Sequence, residues 1–283
     1  MVRVEKVTRE QFGLIYPLLE RMPYRLPRAT WEKLFFNQWD KSQDYIGYAL
    51  MEEGAVRGFI GVKLSEQEIN GSKEKFCNIT SWVVDEAHQS HGIFLLFPLL
   101  RLEGCTLTDF TPIDRVYTVL RKMGFKDLAA YTRVIPPSLM AAFGAKKCEI
   151  VFGEDVAPLL NGVDKKICDD HKSFAVHFCV KSDEGACYCV ATRVRRRRIP
   201  FMQLHYIGNP AVFTAHAGRI AGRLCLKGRA AALIIDEAPG RYAGVAGSFL
   251  QKRGVPSVYK SEKLAPEDIA SVYSELILTG GGI

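Results

Sequence analysis

The stretch Ser81–Leu96, SWVVDEAHQSHGIFLL, constrains this chain most. A β-rich run ends in the short loop Gln89-Ser90-His91-Gly92, and an apolar run with helical features follows at once. A strand that feeds a helix through a glycine loop makes a ready anion site. The loop N–H groups turn inward, and the helix N-terminus carries partial positive charge. The sequence predicts that helix over residues 92–103.

The totals leave room for more than this one unit. At 283 residues the chain is long enough for one large domain or two ordinary ones. With 48% hydrophobic and 24% charged residues, a large core is available and bulk disorder is not expected. No run of 18 apolar residues occurs, and the start MVRVEKVTREQF is charged where a signal peptide needs an apolar core. The expectation is a cytoplasmic protein with no membrane partner. Its eight cysteines are scattered, without a Cys-x-x-Cys pair, so they read as small buried hydrophobes rather than metal ligands. A net charge of +7 fits an anionic ligand, a nucleic acid or an anionic surface, and does not choose among them.

The first half reads as alternating units. Val2–Val7 is a strand. Thr8 caps a helix with Gln11 as its capping-box partner, and Leu14, Ile15, Leu18 and Leu19 give that helix an apolar stripe. A second helix is expected over Thr30–Trp39. Strands follow at Ile46–Met51, Ala55–Leu64 and Lys75–Val84, the last two joined through Asn70-Gly71, a strong hairpin signal. Gly58 and Gly61 inside the second of these strands suggest close backbone approach. After the loop come a strand Cys105–Asp109, a helix Ile113–Met123 closed by Gly124, and a strand Ala129–Val134.

The loop reads Gln89-Ser90-His91-Gly92-Ile93-Phe94. It resembles the pyrophosphate loop of the GNAT family of N-acetyltransferases, Gln/Arg-x-x-Gly-x-Gly/Ala. The order β-α-α-β-β-β-α-β-α-β and the helix ending in Gly124-Phe125 carry the same resemblance, over roughly residues 1–135. This sequence departs from the family at Phe94, where a small residue is usual, at Pro98 inside the helix, and at Leu120, where a tyrosine is frequent.

The second half repeats part of the order. Strand-like runs at Phe174–Lys181, Ala186–Val194 and Pro200–Ile207 lead into a helix capped by Asn209 with Pro210 at its first turn, and then a strand Ala230–Asp236. That is β-β-β-α-β, as in residues 46–109, so the chain reads as an internal repeat. Only Gly208-Asn209-Pro210 separates strand from helix, and Pro210 has no N–H to offer an anion. The expected fold class is therefore α/β with a mixed sheet. The resemblance implies that residues 1–145 form a GNAT-like acyl-CoA-binding domain and residues 146–283 a degenerate GNAT-like domain, expected to wall the acceptor pocket. The end, Pro266–Thr279, reads as a short helix passing into a strand.

The resemblance implies an acyl-CoA-dependent N-acyltransferase. It would move an acetyl or other acyl group directly from CoA to the amine of a small molecule, with amino sugars among the candidates, and with no metal. Trp82, Val83 and Val84 would lie along the pantetheine arm, and Gln89, Ser90, His91, Gly92, Ile93 and Phe94 would hold the pyrophosphate. Tyr117, one turn before Leu120, is the candidate acid, and Asp109, at a strand end, the candidate base. Each also has a structural reading, as core strand, exposed loop, amphipathic core tyrosine and turn residue. Two other readings stay open. The run Arg193–Arg198, RVRRRR, suits an aminoacyl-tRNA-dependent transferase of similar fold. The three departures suit a non-catalytic acyl-CoA-sensing or scaffolding module.

Overall fold

The computed structural model describes residues 1–23, 26–137, 148–238 and 240–280. Twelve strands form one mixed sheet in the order β1-β2-β3-β4-β5-β12-β6-β11-β10-β9-β8-β7. In the first half these are β1 Arg3–Thr8, β2 Tyr45–Glu52, β3 Ala55–Ile69, β4 Ser72–Val84, β5 Cys105–Asp109 and β6 Lys126–Ile135. The second half supplies β7 Cys148–Phe152, β8 Val176–Ser182, β9 Gly185–Arg196, β10 Ile199–Ile207, β11 Leu233–Glu237 and β12 Phe249–Lys260. The expected division near residue 145 falls outside the described residues.

The two halves interlock by exchanging strands. β12 lies between β5 and β6 and pairs with both, while β6 lies between β12 and β11. Each half thus lends its last strand to the other. The sequence hides β12, because Gly254 and Pro256 interrupt its run. The strand tolerates them by bulging. Lys252 faces Tyr131 and Ser257 faces Ala129, so four residues are thrown out opposite one.

Helices cover both faces. In the first half these are α1 Phe12–Leu19, α2 Arg28–Phe36, the single turn α3 Phe97–Leu100 and α4 Asp114–Lys122. In the second they are α5 Gly162–His171, α6 Pro210–Gly228 and α7 Glu275–Thr279. The Thr8 N–H donates to Gln11 Oε1 at 2.9 Å, as the capping box predicts. α1 and α2 bury Ile15, Leu19, Trp31 and Phe35 in a core that also takes Val190, Val272 and Ile277 from the second half. Gly61 is needed there, since a Cβ would meet the Phe35 ring at 2.6 Å. α6 buries Phe213, Ile220 and Leu224 over β8–β11.

Two expectations fail. The helix predicted over 92–103 is not formed. Residues 86–95 wind as 3₁₀ turns, and one α-turn follows. Pro98 has no N–H to propagate an α-helix, and Gly92 lowers the propensity of the turns before it. The segment after Pro266 holds 3₁₀ turns and α7, not a strand. The repeat also runs further than expected. β7 pairs with β8 as β1 pairs with β2, and α5 takes the place of the helices after β1.

Candidate active site

The site is made by two parallel strands parting. β4 and β5 pair from Lys75↔Cys105 to Asn78↔Thr108 and then separate. Just beyond, Thr80 is an extra residue against β3, since Gly61 faces Ser81 and Val62 faces Ile79. The bulge bends β4 away from β5. On the open side alternate backbone groups of Ile79–Val84 lose a strand partner. The wedge is a cleft of about 330 Å³, lined by Ile79–Val84, Gln89, Ser90, Gly92, Ile93, Asp109 and the inner side of α4.

Most of the residues singled out from the sequence meet here. Trp82, Val83 and Val84 form one wall, and Gln89, Ser90, Gly92 and Ile93 close one end. Gly92 packs on Val84, and a Cβ on it would sit 3.2 Å from Val84 Cγ2. Arg115 of α4 donates to Gln89 Oε1 at 2.8 Å, setting a guanidinium at the loop. His91 and Phe94 are not among the lining residues. Their rings pack together at 5.7 Å, and Phe94 is exposed. Tyr117 is not there either, and its hydroxyl donates to Asp127 at 2.9 Å.

Asp109 sits at the floor, buried, where β5 ends. Its Oδ1 accepts the Thr111 N–H at 3.1 Å. Beside it lies Glu275, the first residue of α7 and fully buried. Glu275 accepts from Asn78 Nδ2 at 2.5 Å and from Thr111 Oγ1 at 2.9 Å. Burial pushes the Asp109 carboxyl well above the usual carboxylate range, and the neighbouring Glu275 adds to the push, against the Thr111 N–H and Arg253. Burial raises Glu275 too, against its hydrogen bonds from Asn78 and Thr111. Sequence reasoning missed Glu275, because nothing local marks a residue that reaches its partners from 164 positions away.

The loop itself is wound tightly. In 3₁₀ turns each N–H bonds the carbonyl three residues back, so few of the N–H groups of residues 89–95 are left for an anion. The residues present fit an acylated pantetheine arm along β4. A diphosphate at the loop end would meet the Arg115 side chain rather than a cradle of free N–H groups.

A second wedge repeats the geometry. β10 and β11 pair up to Leu204↔Ile235 and then part, with His205 the extra residue between Leu204↔Ala191 and Tyr206↔Val190. It opens on a cavity of about 470 Å³. Its buried polar groups are already engaged. His205 contacts Thr192 Oγ1 at 2.8 Å and Ser271 Oγ at 2.9 Å. Glu237 takes both prongs of Arg133 at 2.9 and 3.0 Å. The first wedge, where two buried carboxyls lie together with no salt bridge to either among the described residues, is therefore the better candidate for chemistry. Among the described residues no group of His, Cys, Asp and Glu could hold a metal ion, and no helix is long and apolar enough to cross a membrane.

Comparison with known proteins agrees on the fold. No protein-family model matches the sequence, and no curated protein does. Solved structures do match over nearly the whole chain. A GCN5-related N-acetyltransferase from Kribbella flavida aligns with a TM-score of 0.60 at 12% identity, covering 92% of this chain and 71% of its own. A conserved Enterococcus faecalis V583 protein, described as a probable N-acyltransferase, gives 0.59 at 14% identity, over 94% of this chain and 74% of its own. Eis1 from Mycobacterium abscessus gives 0.54 at 11% identity, over 92% and 73%. The chain has the GCN5-related N-acetyltransferase fold, as a GNAT-like first half followed by a degenerate GNAT-like second half.

Proposed function

We propose that the protein is a cytoplasmic acyl-CoA-dependent N-acyltransferase that moves an acetyl or other acyl group to the amine of a small molecule, an amino sugar being one candidate. The observation that carries this reading is the wedge beside Asp109, where a free strand edge and a buried carboxyl face one cleft. An acyl thioester bound there supplies an activated carbonyl carbon and a thiolate leaving group. Free N–H groups of Ile79–Val84 are placed to donate to the carbonyl oxygen as its charge grows. Asp109 takes the proton of the amine, whose lone pair then bonds the carbonyl carbon as the C–S bond breaks. Only the ionised form of Asp109 can accept that proton, so transfer should rise with pH through its raised titration, and once ionised it is a stronger base than an exposed aspartate. Tyr117, its hydroxyl held by Asp127, is assigned no step.

The test is a titration of acetyl-CoA into the protein, followed by thiol release across a panel of amines. Binding with transfer supports the reading, and absence of both overturns it. The tight winding of residues 86–95 favours a second reading, an acyl-CoA-sensing or scaffolding module. Binding without transfer to any amine would select it.

A further inference from the structure

Five non-glycine residues among those described have positive φ, and three of them are arginines. Arg197 (φ 48°) and Arg198 (φ 70°) form the two-residue turn between β9 and β10, and Arg229 (φ 47°) ends α6. Left-handed backbone at a two-residue hairpin favours Asn-Gly, and at a helix end it favours Gly. An arginine in either place is strained by its Cβ. The three sites adjoin, since Arg193 Nε of β9 donates to the Gly228 carbonyl at 2.8 Å and so ties the hairpin to the end of α6.

Arg193, Arg195, Arg197, Arg198, Lys227 and Arg229 are all exposed there. The ion pairs among the described residues include none of the six. The neighbouring Arg196 turns to the other side of the sheet, toward Asp236 at 3.6 Å. Complementing the helix C-terminus accounts for Lys227 and Arg229 at most. It does not account for two arginines in a hairpin turn. Strained residues kept where an easier choice exists point to a use for the side chain.

We infer that this end of the second half is a docking surface for the phosphate backbone of a nucleic-acid duplex. Guanidinium groups match phosphate oxygens two at a time. A duplex carries about one charge per 1.7 Å of its axis, twice the phosphate density of a single strand, and so suits a cluster of cations better. Leu226 and Ile199 are exposed at its border, too little apolar surface to anchor on a lipid face. The contact is sequence-blind and independent of which donor the first wedge takes.

The experiment uses the full chain and a fluorescent 20-base-pair RNA duplex, with a DNA duplex and phosphatidylserine vesicles beside it. Binding to the duplexes in roughly the micromolar range, falling steeply with salt, is expected. The variant R197N/R198G/R229G replaces each strained arginine with a residue its backbone favours, so its Tm should rise. Its duplex affinity should fall at least about tenfold, and the slope of log K against log salt should drop by about 2–3, near 0.9 per lost phosphate contact. Unchanged affinity in that variant would overturn the inference. So would a fall in Tm, which would make the arginines structural, or binding to vesicles and not to duplexes.

Discussion

The two wedges are built alike and equipped differently. In each, a parallel pair parts next to a bulge, at Thr80 in β4 and at His205 in β10. In each, the strand facing the bulge carries an aspartate just past the last paired residue, Asp109 after Thr108 and Asp236 after Ile235. The aspartates then diverge. Asp109 has Glu275 beside it and is held toward its protonated form. Asp236 binds Arg253 at 2.5 Å and Arg196 at 3.6 Å, and it accepts from Thr132 and Gln203. Burial alone would raise Asp236, but these cations and donors win and hold it below the usual carboxylate range. One position of the repeat holds an acid with raised proton affinity and no salt bridge, and the other holds an ion-paired strut. Arg253 lies on the exchanged strand β12, so the exchange itself supplies the strut.

Reciprocal substitutions test this contrast with the largest effects. Asp109→Asn should leave the fold intact and cut acyl transfer by about 10²–10⁴-fold, the usual worth of a general base. Asp236→Asn leaves Arg253 without its carboxylate partner and should cost about 3–5 kcal/mol of stability by urea unfolding. If both variants lost stability and neither lost transfer selectively, the comparison would break.

Acid should destabilise the fold through two buried histidines of the second half. Burial lowers His205 and His171 from 6.5 to about 4. A histidine kept neutral in the fold stabilises it above pH 6.5. That contribution fades as pH falls from 6.5 toward 4, because the unfolded chain takes up the proton first. Each ring should account for about 3 kcal/mol across that window. His205→Gln should flatten the fall of Tm between pH 7 and 4, and an unflattened curve would contradict the burial argument. Asp109 and Glu275 act with the opposite sign. Their raised proton affinity means that the folded state holds protons which the unfolded state has released, so stability declines as pH rises from the carboxylate range toward their folded values. In Glu275→Gln the acidic limb of the transfer profile should move to lower pH, since the neighbouring acid is gone.

The sequence carried the strand and helix order of both halves because periodicity and turn residues are local. Asn70-Gly71, Gly124 and Asn209-Pro210 each mark a boundary that the structure keeps. The fold class and the meeting of Trp82–Val84 with Asp109 in one cleft follow from that order. What stayed hidden is long-range. β12 looked broken because its bulge is stabilised only by pairing with β5 and β6. Glu275 had no local signature. The α3 region misled for the opposite reason, since an apolar run suggested a helix that Pro98 and 3₁₀ winding prevent.

The smallest effects separate the wedges most cleanly. Gly92 and Gly208 both follow a parting strand and close one end of a wedge. A Cβ on Gly92 would press Val84 Cγ2 at 3.2 Å, so Val84 must shift by a few tenths of an ångström into or along the first cleft. A Cβ on Gly208 would instead meet the Asp164 carboxylate at 3.1 Å, beside the second wedge. Both alanine variants should lose no more than about 1–2 kcal/mol of stability, the lower end of the cost of overpacking. Only Gly92→Ala should weaken acetyl-CoA binding, by severalfold in a calorimetric titration, because only there does the displaced side chain belong to the wall of the candidate site. Equal weakening by both would mean that the ligand spans the two wedges, and weakening by Gly208→Ala alone would move the donor site to the second half.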